Sequence, residues 1–366
     1  MLAGALLPLA WMLFYGGAWP AATLALPPTH WHAHEMFLGF GGAVLGGFLL
    51  TASKNWVSIR GFHGPVLMAL ALAWLVERLA LAFGALAPPP LVILANLVFW
   101  PALVALILWT LIRHRATDSY PDNVYFILAL PLFLPAKALM LMPEAAPLGW
   151  SMAIALFRLV FLVMLERTLA QFMKNALQVT IPRWPALDHA IKMLALILVF
   201  AAWMPKPVAA LLALGLALLV LLRTGIWSPH RALRRLDIGI MILGKLGLAG
   251  QLLVESYAAL AQPNWLGAVP AHAFTFGAIG LIVPAMLVRI AKGHTGRTVT
   301  FEPADKLVLW LMIAAFVIRV PMPVLLPDLY RHWLHLAALA WTLGFGLLAW
   351  RYLPFLVAPR VDGKEH

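Results

Sequence analysis

Residues 207–223, PVAALLALGLALLVLLR, hold no ionisable group before the closing Arg223. Such a segment offers nothing to water, whereas about 20 apolar residues wound into an α-helix cross a hydrocarbon core. The same character recurs along the chain, at roughly 1–19, 31–53, 65–84, 90–112, 122–142, 148–172, 186–204, 207–223, 236–260, 269–291, 305–326 and 329–353. Pro88-Pro89-Pro90 and Pro205-Lys206-Pro207 punctuate the links. Of the 366 residues 63% are hydrophobic and 11% charged, too few charges to cover a soluble protein of this length. The expected fold class is all-α: a polytopic membrane helix bundle of about twelve spans, forming a single membrane domain over residues 1–366. The apolar start, Met1–Ala18, lacks a basic flank and a small-residue cleavage site, so it reads as a retained first span.

The formal charge of +12 is distributed by topology. Lys54 and Arg60 follow span 2, Arg113 and Arg115 span 4, Lys174 and Arg183 span 6. Arg231, Arg234 and Arg235 follow span 8, Lys292 and Arg297 span 10, and Arg360 and Lys364 lie in the tail. The opposite links carry Lys206 and Arg331. Basic links face the cytoplasm, so both termini are expected there. Basic residues scattered over short links do not suit nucleic acid, and no soluble output domain suits a signalling module. The chain has no cysteine, which excludes disulfides, thiolate ligands, iron–sulfur clusters and covalently attached haem. A metal here must use His, Met or carboxylate.

The twelve histidines sort by side. His63, His114, His189, His230, His294 and His366 belong to cytoplasmic links. His30, His32, His34, His272, His332 and His335 lie at the extracytoplasmic ends of spans 2, 10 and 12. A single histidine at a helix end is ordinarily interfacial, or bonded to a nearby carbonyl. Imidazoles at one depth on three helices point instead to a metal or haem site, with His34, His272, His335, His332 and His32 as candidate ligands. At about 100° per residue His32 and His34 point nearly opposite ways, whereas His332 and His335 share a face. His32 and Met36, four residues apart, are candidates for a soft ion such as Cu(I). His34-x4-Gly39-x2-Gly42 is echoed by His272-x4-Gly277-x2-Gly280. Small residues beside a histidine admit either a flat macrocycle or a packed neighbour. Glu35, Arg78, Lys137, Arg158 and Arg319 are charges in the same half of the membrane, suited to haem propionates or to supporting the ligands. Each is equally readable as half of a structural ion pair, as is Glu77 beside Arg78. The cytoplasmic run Gly293-His294-Thr295-Gly296-Arg297 suits a tight turn, with its amides and Arg297 able to hold an anion.

Several blocks together resemble one family. Trp31-His32-Ala33-His34-Glu35-Met36, Gly46-Gly47-Phe48-Leu49-Leu50-Thr51-Ala52 with Asn55-Trp56, His272-Ala273-x-Thr275-x-Gly277-Ala278-Ile279-Gly280, the Gly293–Arg297 run and the closing Arg351-Tyr352-x-Pro354 and Pro359-Arg360-x-Asp362-Gly363 are similar to the NnrS family over nearly the whole chain. An Arg-Pro-Phe-Phe-like stretch common near family N-termini is missing. The resemblance implies a multi-pass protein of the bacterial inner membrane that contains haem b and copper. It also implies a link to nitric oxide, denitrification gene clusters and protection from nitrosative stress. Histidines on spans 2 and 10 are similar in layout to the low-spin haem site of haem–copper oxidases. Span 6 has no histidine and span 7 only the cytoplasmic His189, so an oxidase-like copper site is not expected.

The function expected is binding or reductive processing of nitric oxide at an intramembrane haem, with the bilayer as surroundings and a quinol or periplasmic donor as electron source. No residue is assignable as catalytic. The competing reading is a transporter of a small solute or copper without haem. Twelve helices suit it, but no convincing inverted repeat supports it.

Overall fold

The computed structural model describes residues 1–363, and Lys364 and His366 of the charge and histidine patterns lie outside them. Among the described residues there is no strand. Eleven helices among the described residues are long and apolar enough to cross a membrane. They are α2 (Pro28–Trp56), α3 (Pro65–Ala82), α4 (Pro89–Arg113), α5 (Pro121–Leu141), α6 (Ala146–Leu177), α7 (Pro185–Trp203), α8 (Lys206–Ile226), α9 (Leu236–Ala261), α10 (Val269–His294), α11 (Pro303–Leu325) and α12 (Pro327–Val357). Helix α1 (Leu2–Tyr15) is shorter than the expected first span, and its 14 residues rise only about 21 Å. Prolines open most of the others, where the missing N–H costs nothing because the first turn has no intrahelical acceptor.

The chain divides into two compact units. One, the His34 unit, comprises Leu13–Val163 and Val199–Ala202; the other, the His272 unit, comprises Met1–Met12, Met164–Leu198 and Trp203–His366.

In the His34 unit, α2 is not uniformly α-helical. It is α-helical over Pro28–His34, opens into a π-helix over Glu35–Gly41, and closes again over Gly42–Trp56. A π-turn widens the helix and re-aims backbone carbonyls. Two of these receive indole donors: Trp100 Nε1 donates to Leu38 O at 3.1 Å and Trp74 Nε1 to Gly39 O at 2.9 Å. Helix α4 is broken after Asn96 and resumes at Phe99. Pro101 supplies no N–H to Leu97, and its ring crowds that carbonyl, which accounts for the break. The break leaves the Asn96 carbonyl open to a partner from another helix.

In the His272 unit the same backbone device recurs. Helix α10 is α-helical over Val269–Phe274, π-helical over Thr275–Gly280 and α-helical over Leu281–His294. The echo between the two histidine blocks is therefore an echo of conformation as well as of sequence. Helices α9 and α10 cross with their backbones nearly touching. A β-carbon on Gly247 would lie 2.6 Å from the Gly277 carbonyl carbon. The start of α1 is fastened to α12, where Trp341 Nε1 donates to Gly4 O at 3.0 Å and Thr342 Oγ1 to Ala5 O at 3.2 Å.

Candidate functional site

At the N-terminal end of α2, His34 is completely buried and Glu35, the first residue of the π-turn, is nearly so. His34 Nδ1 lies 3.4 Å from Glu35 Oε1. The other carboxylate oxygen of Glu35 meets Arg78 Nε at 3.2 Å. Arg78 also pairs with Glu77, and Glu77 Oε2 meets Lys137 Nζ at 2.8 Å. Lys137 donates in addition to the Asn96 carbonyl exposed by the break in α4. All five side chains are buried. With His34 neutral, two carboxylates face two cations and the cluster carries no net charge. Neutrality and mutual hydrogen bonding are the conditions under which charges persist in a low-dielectric interior.

Gly39 makes this geometry reachable. A β-carbon there would stand 2.9 Å from Glu35 Oε2 and would overlap the Arg78 guanidinium. Gly41 and Gly42 seat Phe157 and Trp100 in the same way, at 2.8 Å from the would-be β-carbon in each case. The small residues after His34 thus admit neighbouring side chains, the packing alternative of the sequence reading. Gly277 and Gly280 do likewise against Phe316 and Trp341.

His34 Nε2 is different. It is shielded from solvent and has no hydrogen-bond partner. A buried unsatisfied ring nitrogen is costly unless something binds it. With Nδ1–H donating to Glu35, Nε2 is the unprotonated nitrogen and presents a lone pair, the arrangement of a metal-ligating imidazole backed by a carboxylate. Such a lone pair can ligate haem iron, alone or with a second imidazole. His30 lies one helical turn before His34 on the same face, its ring edge-on to Trp150 at 5.2 Å. The i,i+4 spacing of His30 and His34 is readable in the sequence. Glu77 is legible in the sequence as half of an ion pair with Arg78 but not as the link to Lys137, and the Asn96 carbonyl is not legible at all. Only a charged pair in mid-span signals Glu77, and nothing local signals the carbonyl.

His32 and Met36 follow one another by one turn on α2, both half-buried. No group of three or more His, Asp or Glu side chains able to hold a metal ion occurs among the described residues. Among the described residues, His34 Nε2 can ligate haem iron, and a copper ion would have fewer than three His, Asp or Glu ligands beside donors such as Met36. Arg158, on α6, is fully buried within the His34 unit.

In the His272 unit, His272 stands half-exposed at the start of α10, with Nδ1 2.8 Å from its own Ala268 carbonyl. This bond fixes the same tautomer as at His34, without a carboxylate behind it. Its ring lies 6.0 Å from Phe276, which packs edge-on to Trp341 at 4.7 Å, and Trp341 stacks on Phe345 at 5.2 Å. His332 is exposed and His335 half-buried near the start of α12. Arg319 donates to the Tyr330 hydroxyl at 3.3 Å.

A second charge cluster in this unit, with buried cations and half-buried carboxylates, is not apparent from the sequence pattern. Arg223 pairs with Glu166 and lies 3.0 Å from Asp188, while Lys245 Nζ sits 4.0 Å above the Trp227 ring and 4.0 Å from Glu166. It joins helices α6, α7, α8 and α9. Lys245 and Glu166, charged in mid-span, were its available signal.

The Gly293–Arg297 run is a turn closed by the tail. Arg360 donates to His294 O at 2.9 Å and Val361 N–H to Thr295 O at 3.1 Å. Gly296 has φ +77°, and a β-carbon on it would meet Asp362 Cγ at 2.7 Å. The acidic group lodged at this turn is thus the chain's own Asp362. Alongside, Glu302 accepts from Lys292 at 2.8 Å and from Arg351 at 2.7 Å. These two bonds, Lys292 first, hold its carboxyl down at about 2.

Comparison with known proteins places these features in a family. The profile described as NnrS protein matches residues 1–360. No curated protein matches the chain significantly.

Proposed function

The chain belongs to the NnrS family, and from that premise and the geometry of His34 we propose that it is an integral membrane b-type haem protein that binds or reductively processes nitric oxide, relieving nitrosative stress in the bacterial inner membrane. The observation that carries the proposal is the buried, unpartnered Nε2 of His34 with its carboxylate-backed Nδ1. When bound, haem supplies an iron that takes nitric oxide as a ligand. The chain's own residues set the conditions. Glu35 holds the imidazole in one tautomer, Arg78 holds Glu35, and Glu77 and Lys137 hold Arg78. The ring is thereby oriented without depending on solvent. Nitric oxide is small and apolar, so it reaches an intramembrane site through lipid. Binding needs no further component; reduction needs electrons from a quinol or a periplasmic donor.

Within its own unit His272 is a further candidate haem ligand, because its Nδ1 is likewise committed. The multi-span bundle also suits a transporter, but the self-neutralised cluster around Glu77 offers an ionic solute no unmatched charge. The test is spectroscopic. Protein purified from haem-replete cells should show a Soret band with sharp α and β bands on reduction, and these bands should shift on titration with nitric oxide. A colourless preparation that is correctly inserted would move the assignment to the transporter.

A further inference from the structure

Three segments of the His272 unit meet at one end of its helices: the close of α6, the link into α7 and the link from α8 to α9. Two bonds fasten them. Arg235 Nη1 donates to Ala176 O at 3.3 Å, tying the α8–α9 link to the last turn of α6. Arg223 Nη1 donates to Pro182 O at 2.8 Å, tying the α6–α7 link to the last turn of α8. Gln178 and Ser228, both at positive φ, turn the two links back. The lysines and arginines of these links mark this end as cytoplasmic.

The charges at this end do not balance. Residues 166–254 contain three carboxylates, Glu166, Asp188 and Asp237. Arg223 takes the first two, and Asp237 is shared by Arg235 and Arg289. Lys174, Arg183, Arg231 and Arg234 are exposed, and no ion pair or side-chain hydrogen bond engages any of the four among the described residues. Two apolar side chains are exposed beside them, Trp184 next to Arg183 and Leu233 next to Arg234. Trp184 immediately precedes span α7, the position at which an indole sits at the lipid–water boundary.

We propose that this face binds an anionic phospholipid of the cytoplasmic leaflet. Arg231 and Arg234, three residues apart on the α8–α9 link, pair with the headgroup phosphate, to which a guanidinium presents a fork of donors. Lys174 and Arg183 add to the attraction from the neighbouring segments, and Trp184 and Leu233 lie against the upper acyl chains. Clusters of about four or more basic residues just cytoplasmic of a span recognise anionic lipid for these reasons. An acidic protein segment would match the same charge. The exposed indole and leucine at the span ends favour lipid, which is the neighbour present at that depth.

The test uses the full chain in nanodiscs of equal phosphatidylglycerol and phosphatidylcholine, with the lipids retained after release counted by native mass spectrometry. The wild type should retain phosphatidylglycerol over phosphatidylcholine. Arg231→Ala should lower that ratio about fivefold, the worth of one cation near an anionic surface. Arg231→Ala/Arg234→Ala should bring it near parity. Both side chains are exposed and unpartnered, so their removal disturbs no packing. Arg331→Ala removes an exposed cation at the start of α12, among the opposite links, and should leave the ratio unchanged, which separates the face from a general charge effect. Millimolar inorganic phosphate and poly-glutamate should not displace the lipid. No preference in the wild type, an unchanged ratio in the double variant, an equal loss in Arg331→Ala, or displacement by phosphate or poly-glutamate would each overturn the proposal. Haem content does not enter these readouts, so the result stands apart from the nitric oxide assignment.

Discussion

The N-terminal ends of α2 and α10 share a histidine, a π-turn and a pair of glycines at identical spacing, yet they are built for different duties. At α2 the ring is fully buried and backed by a neutral network of four charges. At α10 the ring is half-exposed and bonded to its own helix, and the glycines serve a close backbone crossing with α9. Local sequence sets the backbone at both places. Residues distant in the chain decide whether the imidazole is held stiffly by a buried network or only by its own helix.

The sharpest way to break this contrast is to remove Arg78. Arg78→Ala leaves Glu35 and Glu77 buried without their shared cation, and should destabilise the protein by about 3–5 kcal/mol. Thermal unfolding in detergent measures this, and a midpoint within error of wild type would show that the network does not hold the helix end. At α10 the corresponding weak point is steric. Gly247→Ala drives a methyl into the Gly277 carbonyl and should cost about 1–3 kcal/mol. Gly47→Ala, with nothing within 4 Å, should be nearly neutral, and equal effects would remove the crossing as an explanation. Trp100→Phe deletes the indole donor to Leu38 O and should cost about 1 kcal/mol, with faster amide exchange confined to the π-turn of α2.

These differences explain what was legible in the sequence. Apolar stretches separated by Pro and basic links give the bundle and almost all of its spans, because hydrophobic length is a local property. Helix α1 falls short because hydropathy cannot say where a helix frays: the chain leaves the helix after Tyr15, although residues 16–19 remain largely apolar. His34 and Arg78 were identifiable as charged or polar groups within spans. That Glu77 joins Arg78 to Lys137, and that Asn96 lends a carbonyl, depends on the break at Pro101 and on helices meeting at one depth. Neither is written in spacing along the chain. The Gly293–Arg297 run was open between an anion site and a turn, and the tail that closes it lies more than sixty residues away.

The smallest expected effect concerns the neighbourhood of this turn. Glu302 is depressed to about 2 by Lys292 and Arg351, so its contribution is fully present above the unfolded carboxyl value of about 4.3 and is lost as pH falls toward 2. The group is half-exposed, so Glu302→Gln should cost under about 1 kcal/mol at neutral pH and the difference from wild type should vanish near pH 2. A difference that grows on acidification would contradict the assignment.

The most direct test of the account is the haem-to-protein ratio of His34→Ala, measured beside His272→Ala and His294→Ala in preparations of equal insertion and folding. The account predicts that His34→Ala loses the haem bands, that His272→Ala lowers them, and that His294→Ala keeps them. Full haem retention in His34→Ala, with the reduced spectrum unchanged, would contradict it.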